Sequence, residues 1–532
     1  MPHTRLNILP ALVALMLAAC LFGAAEARAQ SAEYTNPALA GDYPDPSVIR
    51  VGRDYWATAT SSEWAPQFPI MHSRDLVNWR LAGTVFKDRP AWAVGNFWAP
   101  EIYADRGRYF VFYTARRKDG PLCVAVATAS NPAGPYTDRG PLICQDAGSI
   151  DAFPVRDERG RLYMLWKEDG NSRNEPTPIW AQPLSTDGTK LTGEKKELIR
   201  NDAPWEAQLV EGPFVLRRNG WFYMFYSGNA CCGRECNYAS GVARSRSLLG
   251  PWEKNPANPI LRGNEVWKCP GHGSIVTDPR GRDFYLYHAY HPKDFVYVGR
   301  QALLDEVKWD ANGWPSINGG RGPSASAASP LGAPERNTEY EFFDDFKSPA
   351  LAAGWQWPQA NKPVVRVTAG GGGHLLLRPA SGHADDPIGA VLARSTTTGD
   401  YTATAVIDLR ALRPGQGVAG IAAYGDGENA LGLSLGVGSA VLWRREKNEH
   451  KNISTMTDVM GGPVFHLRMT AAGGNKFRFA LSPDGRNWTD VGDELDGSFL
   501  PPWDRGVRVA LTAGGSAQAS GKFDLLRITP SR

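Results

Sequence analysis

The sequence predicts an all-β protein, a five-bladed β-propeller followed by a β-sandwich, on the strength of two repeats and one change of pattern. Five times between residues 45 and 284 an acid or histidine is followed by a short apolar run, a Gly and, three residues later, an aromatic. The glycines are Gly52, Gly107, Gly160, Gly220 and Gly281, and the aromatics Tyr55, Phe110, Tyr163, Tyr223 and Phe284. The polar residues upstream are Asp45, Glu101, Asp151, Glu211 and His272. The steps between glycines are 55, 53, 60 and 61 residues, the length of a four-stranded blade. A second repeat ends in Trp79, Tyr136, Trp252 and Trp309, at intervals of 57, 116 and 57 residues. Its missing copy falls near Gly193, in the polar stretch from Ser185 to Lys196. If each polar residue opens the equivalent strand of its blade, all five face one axis.

The elements follow in order. Residues 1–29 read as an export signal: Arg5 gives the positive charge, Leu6 to Leu17 the apolar stretch, and Ala27-Arg28-Ala29 the cleavage site. Leu17-Ala18-Ala19-Cys20 fits the alternative of a lipidated Cys20. The expected location is secreted or periplasmic. Residues 34–320 form the propeller, with short aromatic strands such as Tyr109 to Thr114 and Phe222 to Tyr226. Residues 321–338 are small, polar and Pro-bearing, and read as a linker. Residues 339–532 alternate in strands such as Tyr401 to Val406 without helical periodicity. They read as a sandwich, an accessory module with no chemistry of its own.

The 532 residues exceed what one ordinary core accommodates. A hydrophobic fraction of 42% with 21% charged residues is globular rather than disordered. A net charge of +3 without a basic cluster argues against a nucleic-acid partner. No apolar run after the signal is long enough to span a membrane. Eighteen Trp are unusual, and indole faces stack on sugar rings, although core packing accounts for most of them. Beyond the signal stand Cys123, Cys144, Cys231, Cys232, Cys236 and Cys269. An exported chain can bridge them, in a pairing the sequence leaves open. A zinc cluster on Cys231, Cys232 and Cys236 is disfavoured, because no His lies close by.

Asp45, Asp151 and Glu211 each precede an apolar strand, from three different blades. Hydrolysis of a glycosidic bond needs one protonated carboxyl at the leaving oxygen and one carboxylate near the anomeric carbon. A third acid in the same cleft raises its neighbour's pKa and keeps the donor protonated. Strand caps or arginine partners would explain the same three residues equally well.

The segments Asp42-Tyr43-Pro44-Asp45-Pro46-Ser47, Trp98-Ala99-Pro100-Glu101, Ser149-Ile150-Asp151, Glu211-Gly212-Pro213 and Gly271-His272-Gly273-Ser274 occur in an order and at a spacing that resemble the family 43 glycoside hydrolases. The resemblance covers residues 36–320 and implies an inverting five-bladed propeller enzyme acting on xylan or arabinan linkages. By position, Asp45 matches the general base, Glu211 the general acid and Asp151 the residue that tunes and orients the acid. Inversion implies the Asp45 and Glu211 carboxyls roughly 6.5–9.5 Å apart. His272 matches a histidine that contacts a calcium or sodium ion near the axis, largely through water. The chemistry itself requires no cofactor.

The same resemblance implies Trp98, Trp64 and Phe153 as walls of the sugar pocket and Arg300 as a clamp on sugar hydroxyls. From Phe342-Phe343-Asp344-Asp345-Phe346 onward the chain is similar to the concanavalin-like (jelly-roll) sandwich of β-xylosidases, a loop of which can close one end of the pocket. The implied activity is exo β-1,4-xylosidase on oligosaccharide or polysaccharide fragments, with α-L-arabinofuranosidase as the alternative. A non-catalytic sugar-binding propeller would replace one acid by an amide, and none is replaced. A fructan-type propeller would start Asn-Asp-Pro-Asn, which is not found.

Overall fold

A computed structural model describes residues 32–333, 340–370, 372–383, 385–459 and 461–531. The export segment with Arg5, Cys20 and Ala27 to Ala29 lies outside the described residues.

Residues 47–317 form five antiparallel sheets of four strands each, in sequence order. Blade 1 holds Ser47–Val51, Asp54–Thr58, Gln67–Ser73 and Arg80–Phe86. Blades 2 to 5 begin with Ala93–Asp105, Ser149–Arg156, Val210–Arg218 and Lys268–Thr277. The repeat glycines make the turn between the first two strands of every blade, with φ from 64° to 79°. That left-handed turn favours Gly because no Cβ opposes it. The aromatic three residues on is buried in each case, in an apolar layer between neighbouring blades. Five such layers join blades 5 and 1, 1 and 2, 2 and 3, 3 and 4, and 4 and 5. Phe110, Tyr163 and Tyr223 each fill a different layer, and Tyr55 and Phe284 share the one between blades 5 and 1, so the repeat supplies large apolar fillers to four of the five layers.

The second repeat marks the turn between third and fourth strands in blades 1, 2 and 4. Its aromatic bonds back to the turn: Trp79 Nε1 donates to Leu76 O (2.8 Å), Tyr136 OH to Pro132 O (2.9 Å) and Trp252 Nε1 to Leu248 O (3.0 Å). Trp309 keeps the period but not the role. It ends the third strand Gln301–Trp309, and its indole donates to Asp283 Oδ2 at 2.9 Å.

The first described strand braces the junction of blades 5 and 1. Glu33–Thr35 pairs with Ser326–Ala328, and Asn36 exchanges hydrogen bonds with Leu304 of blade 5. Part of the stretch expected as linker is thus a strand, because its small residues lie flat beside blade 5. The sulfurs of Cys123 and Cys144, Cys231 and Cys232, and Cys236 and Cys269 stand at bonding distance.

Beyond it, a nine-stranded and a six-stranded antiparallel sheet enclose one core that includes Leu377, Ile407, Leu433, Leu467 and Leu511. The sandwich abuts blade 1. Trp357–Pro358 pairs with Trp64–Ala65, and Trp64, 2% exposed, packs edge-on against Tyr424 and under Arg508. Trp64 therefore seals the domain boundary. No helix among the described residues is long and apolar enough to cross a membrane.

Candidate active site

The first strand of each blade lines the axis, and besides Asn96 and Cys269 in blades 2 and 5 a left-handed residue stands at its inner end, in the strand or just before it: Asp45 (φ 51°), Ala99 (41°), Asp151 (58°), Gly212 (60°) and His272 (40°). In blades 2 to 5 the pairing register shifts at this point, as in a β-bulge. Left-handed backbone is costly for residues with a Cβ and persists where the surroundings enforce it. A Cβ on Gly212 would meet the His272 ring at 2.9 Å, so blade 4 needs Gly there. This ring of five also corrects the repeat alignment. Glu211 stands one residue before the bulge position and Glu101 two residues after it. Glu101 thus lies one layer down the axis, level with Ser47 and Ser274, and donor–acceptor contact with Ser274 Oγ is 3.4 Å.

Asp45 is the most heavily held of the acids. Arg300 Nη1 donates to its Oδ1 at 3.0 Å, and Thr60 Oγ1 donates to its Oδ2 at 2.7 Å. Its backbone N–H donates to His288 Nδ1 at 3.0 Å. Burial pushes this carboxyl up, but the Arg300 guanidinium above all outweighs it and holds Asp45 well below the usual range. His288, fully buried, is pushed down to about 4 by burial and by Arg300, and is neutral at pH 7.

Asp151 and Glu211 lie beside one buried cation. Lys167, 1% exposed, puts its Nζ 2.8 Å from Glu211 Oε2 and 2.9 Å from Asp169 Oδ1. Tyr238 OH donates to Glu211 Oε1 at 2.8 Å. Burial raises Glu211, yet Lys167 and Tyr238 together lower it below its ordinary value. Asp151 accepts from the Gly212 N–H at 2.9 Å. It is pushed up to about 7 by burial, with Glu211 adding to the rise and His272 opposing it. The two carboxyls interact strongly, so a proton near neutral pH belongs to the pair.

His272 Nδ1 sits 3.6 Å from Asp45 Oδ1 and 3.8 Å from Asp151 Oδ2, between two of the three acids. Among the described residues no group of three or more His, Cys, Asp or Glu is arranged to hold a metal. Beneath His272, Glu101 and Ser274 border an axial pocket with room for about one water. Asp45 and Asp151 also line this pocket, and with room for about one water it does not hold the water-mediated shell of six to eight oxygens that calcium takes.

The other residues implied as pocket walls separate. Phe153 is buried between blades 3 and 4, with its ring 4.8 Å from Phe214, and is core rather than wall. Trp98 is half-buried, and its ring meets Trp503 of the sandwich edge-on at 5.7 Å. Trp503 is 58% exposed. The adjacent Asp504 offers its backbone carbonyl to Arg300 Nη2 at 3.1 Å. Arg300 thus reaches the base rather than solvent, and its Nε has no hydrogen-bond partner. A sandwich loop thus reaches the residues around Asp45.

Sequence reasoning missed Lys167, Tyr238, His288 and Trp503. Lys167 left one trace, a lysine closing the apolar run Leu162 to Trp166. His288 lies in an aromatic stretch and Trp503 follows two prolines, which resemble core and loop, and Tyr238 lies in the Cys-rich polar segment after Gly228.

The comparisons with known proteins agree with this geometry. Residues 34–315 match the family of glycosyl hydrolases family 43, and residues 343–524 match the beta xylosidase C-terminal concanavalin A-like domain. Xylosidase/arabinosidase 43B of Humicola insolens is 29% identical over 483 residues, 85% of each chain. Beta-xylosidase of Bacillus subtilis is 30% identical over 356 residues, 60% of this chain and 64% of the relative. The extracellular exo-alpha-(1->5)-L-arabinofuranosidase ArbA of Cellvibrio japonicus is 26% identical over 309 residues, 52% of this chain and 86% of the relative. The crystal structure of the GH43 BlXynB protein from Bacillus licheniformis superposes with a TM-score of 0.80 at 26% identity, over 94% of this chain and 100% of that one. The family match covers more than half of the chain, which therefore belongs to glycosyl hydrolases family 43, as a glycosidase.

Proposed function

We propose that the protein releases single pentoses from plant cell-wall oligosaccharides or polysaccharide fragments by direct attack of water, with β-1,4-xylosides as first substrate. Asp45 is the general base. It takes a proton from the attacking water while the water oxygen bonds to the anomeric carbon and the bond to the leaving oxygen breaks. Glu211 delivers a proton to that leaving oxygen, drawing on the proton it shares with Asp151. The configuration inverts. The observation that carries this reading is the contrast between the acids. Asp45 is kept ionised by Arg300, whereas the Asp151–Glu211 pair retains a proton up to about pH 7. That contrast supports Asp45 as the base and the Asp151–Glu211 pair as the proton source.

Trp98 and Trp503 are the pocket walls in this reading, and the sandwich loop at Trp503 narrows the mouth, which supports exo action. Arg300, with its buried Nε unpaired, holds a sugar hydroxyl as well as Asp45. No step is routed through a metal at His272. The curated relatives include several named as β-xylosidases, which favours xylosides. An α-L-arabinofuranosidase is the second reading, favoured by the relatives named for that activity. Export and three disulfides complete the proposal, supported by the paired sulfurs and by a relative named as extracellular.

Hydrolysis of 4-nitrophenyl β-D-xyloside and 4-nitrophenyl α-L-arabinofuranoside, with the anomer of the first-formed sugar read by NMR, tests the assignment. Xyloside turnover at least tenfold faster and an α-xylose product are expected. A β-xylose product would overturn the inverting mechanism, and a reversed ratio would install the arabinofuranosidase reading.

A further inference from the structure

The propeller and the sandwich meet beside Asp45 around one buried carboxylate, Asp42. Its Oδ2 accepts from the Gly506 N–H at 3.0 Å and from Arg508 Nη2 at 3.1 Å, both in the sandwich. Its Oδ1 accepts from the backbone N–H of Arg300 at 3.2 Å. The Arg508 and Asp42 side chains are 4% and 3% exposed. Arg300 is gripped a second time at its far end, where Nη2 donates to the carbonyl of Asp504. Its remaining terminal nitrogen is the one that meets Asp45.

The two backbones touch here without slack. A Cβ on Gly299 would lie 2.2 Å from Asp42 Oδ1, and a Cβ on Gly506 would lie 2.3 Å from the Val298 carbonyl. Val507 N–H donates to Tyr297 O at 2.8 Å across the same seam. Buried charges are costly unless paired, and removing one partner strands the other. Asp42 stands three residues before Asp45, so any movement of its clamp is passed on through both the chain and Arg300.

We infer that Asp42 and Arg508 form a positioning pair for hydrolysis, which fixes Arg300 across the domain boundary and through it the carboxylate of Asp45. Neither residue touches the reacting atoms. The inference rests on Asp45 being the general base, and it makes the sandwich a working part of the catalytic site.

The test uses the full chain with Arg508→Ala and Asp42→Asn, Asp45→Ala as reference, and Lys362→Ala as control. Lys362 pairs with Asp88 across the same boundary, on its exposed side. The values of kcat and KM are measured on whichever 4-nitrophenyl pentoside the parent protein cleaves, with and without azide. Azide needs no base: its nitrogen bonds to the anomeric carbon as the bond to oxygen breaks, and the electron pair leaves on 4-nitrophenolate. We expect kcat to fall about 10–100-fold in Arg508→Ala with KM nearly unchanged. Azide should restore most of that loss and yield an inverted glycosyl azide, as in Asp45→Ala, while Lys362→Ala behaves as the parent. An unchanged kcat overturns the inference, as does a loss that azide relieves in Asp45→Ala but not in Arg508→Ala. If azide fails to relieve Asp45→Ala itself, the assignment of the base falls, and the inference with it. Should Arg508→Ala not fold, the near-isosteric Asp42→Asn decides by the same split.

Discussion

The Lys167 ammonium lies 2.8 Å from Glu211 Oε2 with its stem sealed between strands of blade 3. A buried cation at that distance stabilises the carboxylate form and sets the highest pH at which the acid still holds its proton. Lys167→Met removes that bias, so the Asp151–Glu211 pair should bind its proton more tightly. The alkaline limb of kcat/KM, expected near pH 7 in the parent, should move to higher pH. A pH–rate profile of both proteins checks this, and an unmoved limb refutes it.

Glu211→Gln separates acid catalysis from everything else. General acid help is worth about 10²–10⁴-fold when the leaving group is a poor one. The variant should therefore lose that factor on a pentose disaccharide and far less on an activated nitrophenyl glycoside. Equal losses on both would remove Glu211 from the acid role.

Trp503 reaches Trp98 from the other domain while more than half of its own surface stays exposed. An indole in that position offers a face to a sugar ring. Trp503→Ala should raise KM about tenfold, equivalent to roughly 1.4 kcal/mol, with only a small change in thermal stability because more than half of the residue is exposed. Isothermal kinetics and a melting curve on the same preparation test both halves.

Glu101 is pushed up to about 8 by burial, against weak support from Ser47 and Ser274. A carboxyl whose folded pKa lies above its unfolded value stabilises the fold below the unfolded pKa and loses that contribution as pH rises through the folded one. The parent should therefore lose on the order of a few kcal/mol between about pH 5 and pH 9 from this group. Glu101→Gln should flatten that slope and melt higher than the parent at pH 9. Denaturant titrations at pH 6 and 9 are the check.

Much of the architecture was legible because it is written at short range. A Gly that turns a hairpin and an aromatic that fills the layer beside it are three residues apart, so five copies announce five blades. The acids Asp45, Asp151 and Glu211 were legible for the same reason, each at the entrance of a first strand. The register of Glu101 was not, because the bulge at Ala99 slips the strand and moves that side chain down the axis. Phe153 and Trp64 read as pocket walls from their neighbours in sequence. Packing turned one into the layer beside Phe214 and the other into the seam under Arg508.

By itself the sequence determined what local spacing encodes: blades, turns, three acids and a second β domain. Only the tertiary structure decided which charges face those acids. Arg300 lies 255 residues from Asp45, Lys167 44 from Glu211, and Arg508 466 from Asp42. Ring closure and domain docking bring such residues together. Their protonation states then follow from desolvation and from charges a few ångströms away, neither of which is a property of the order of residues along the chain.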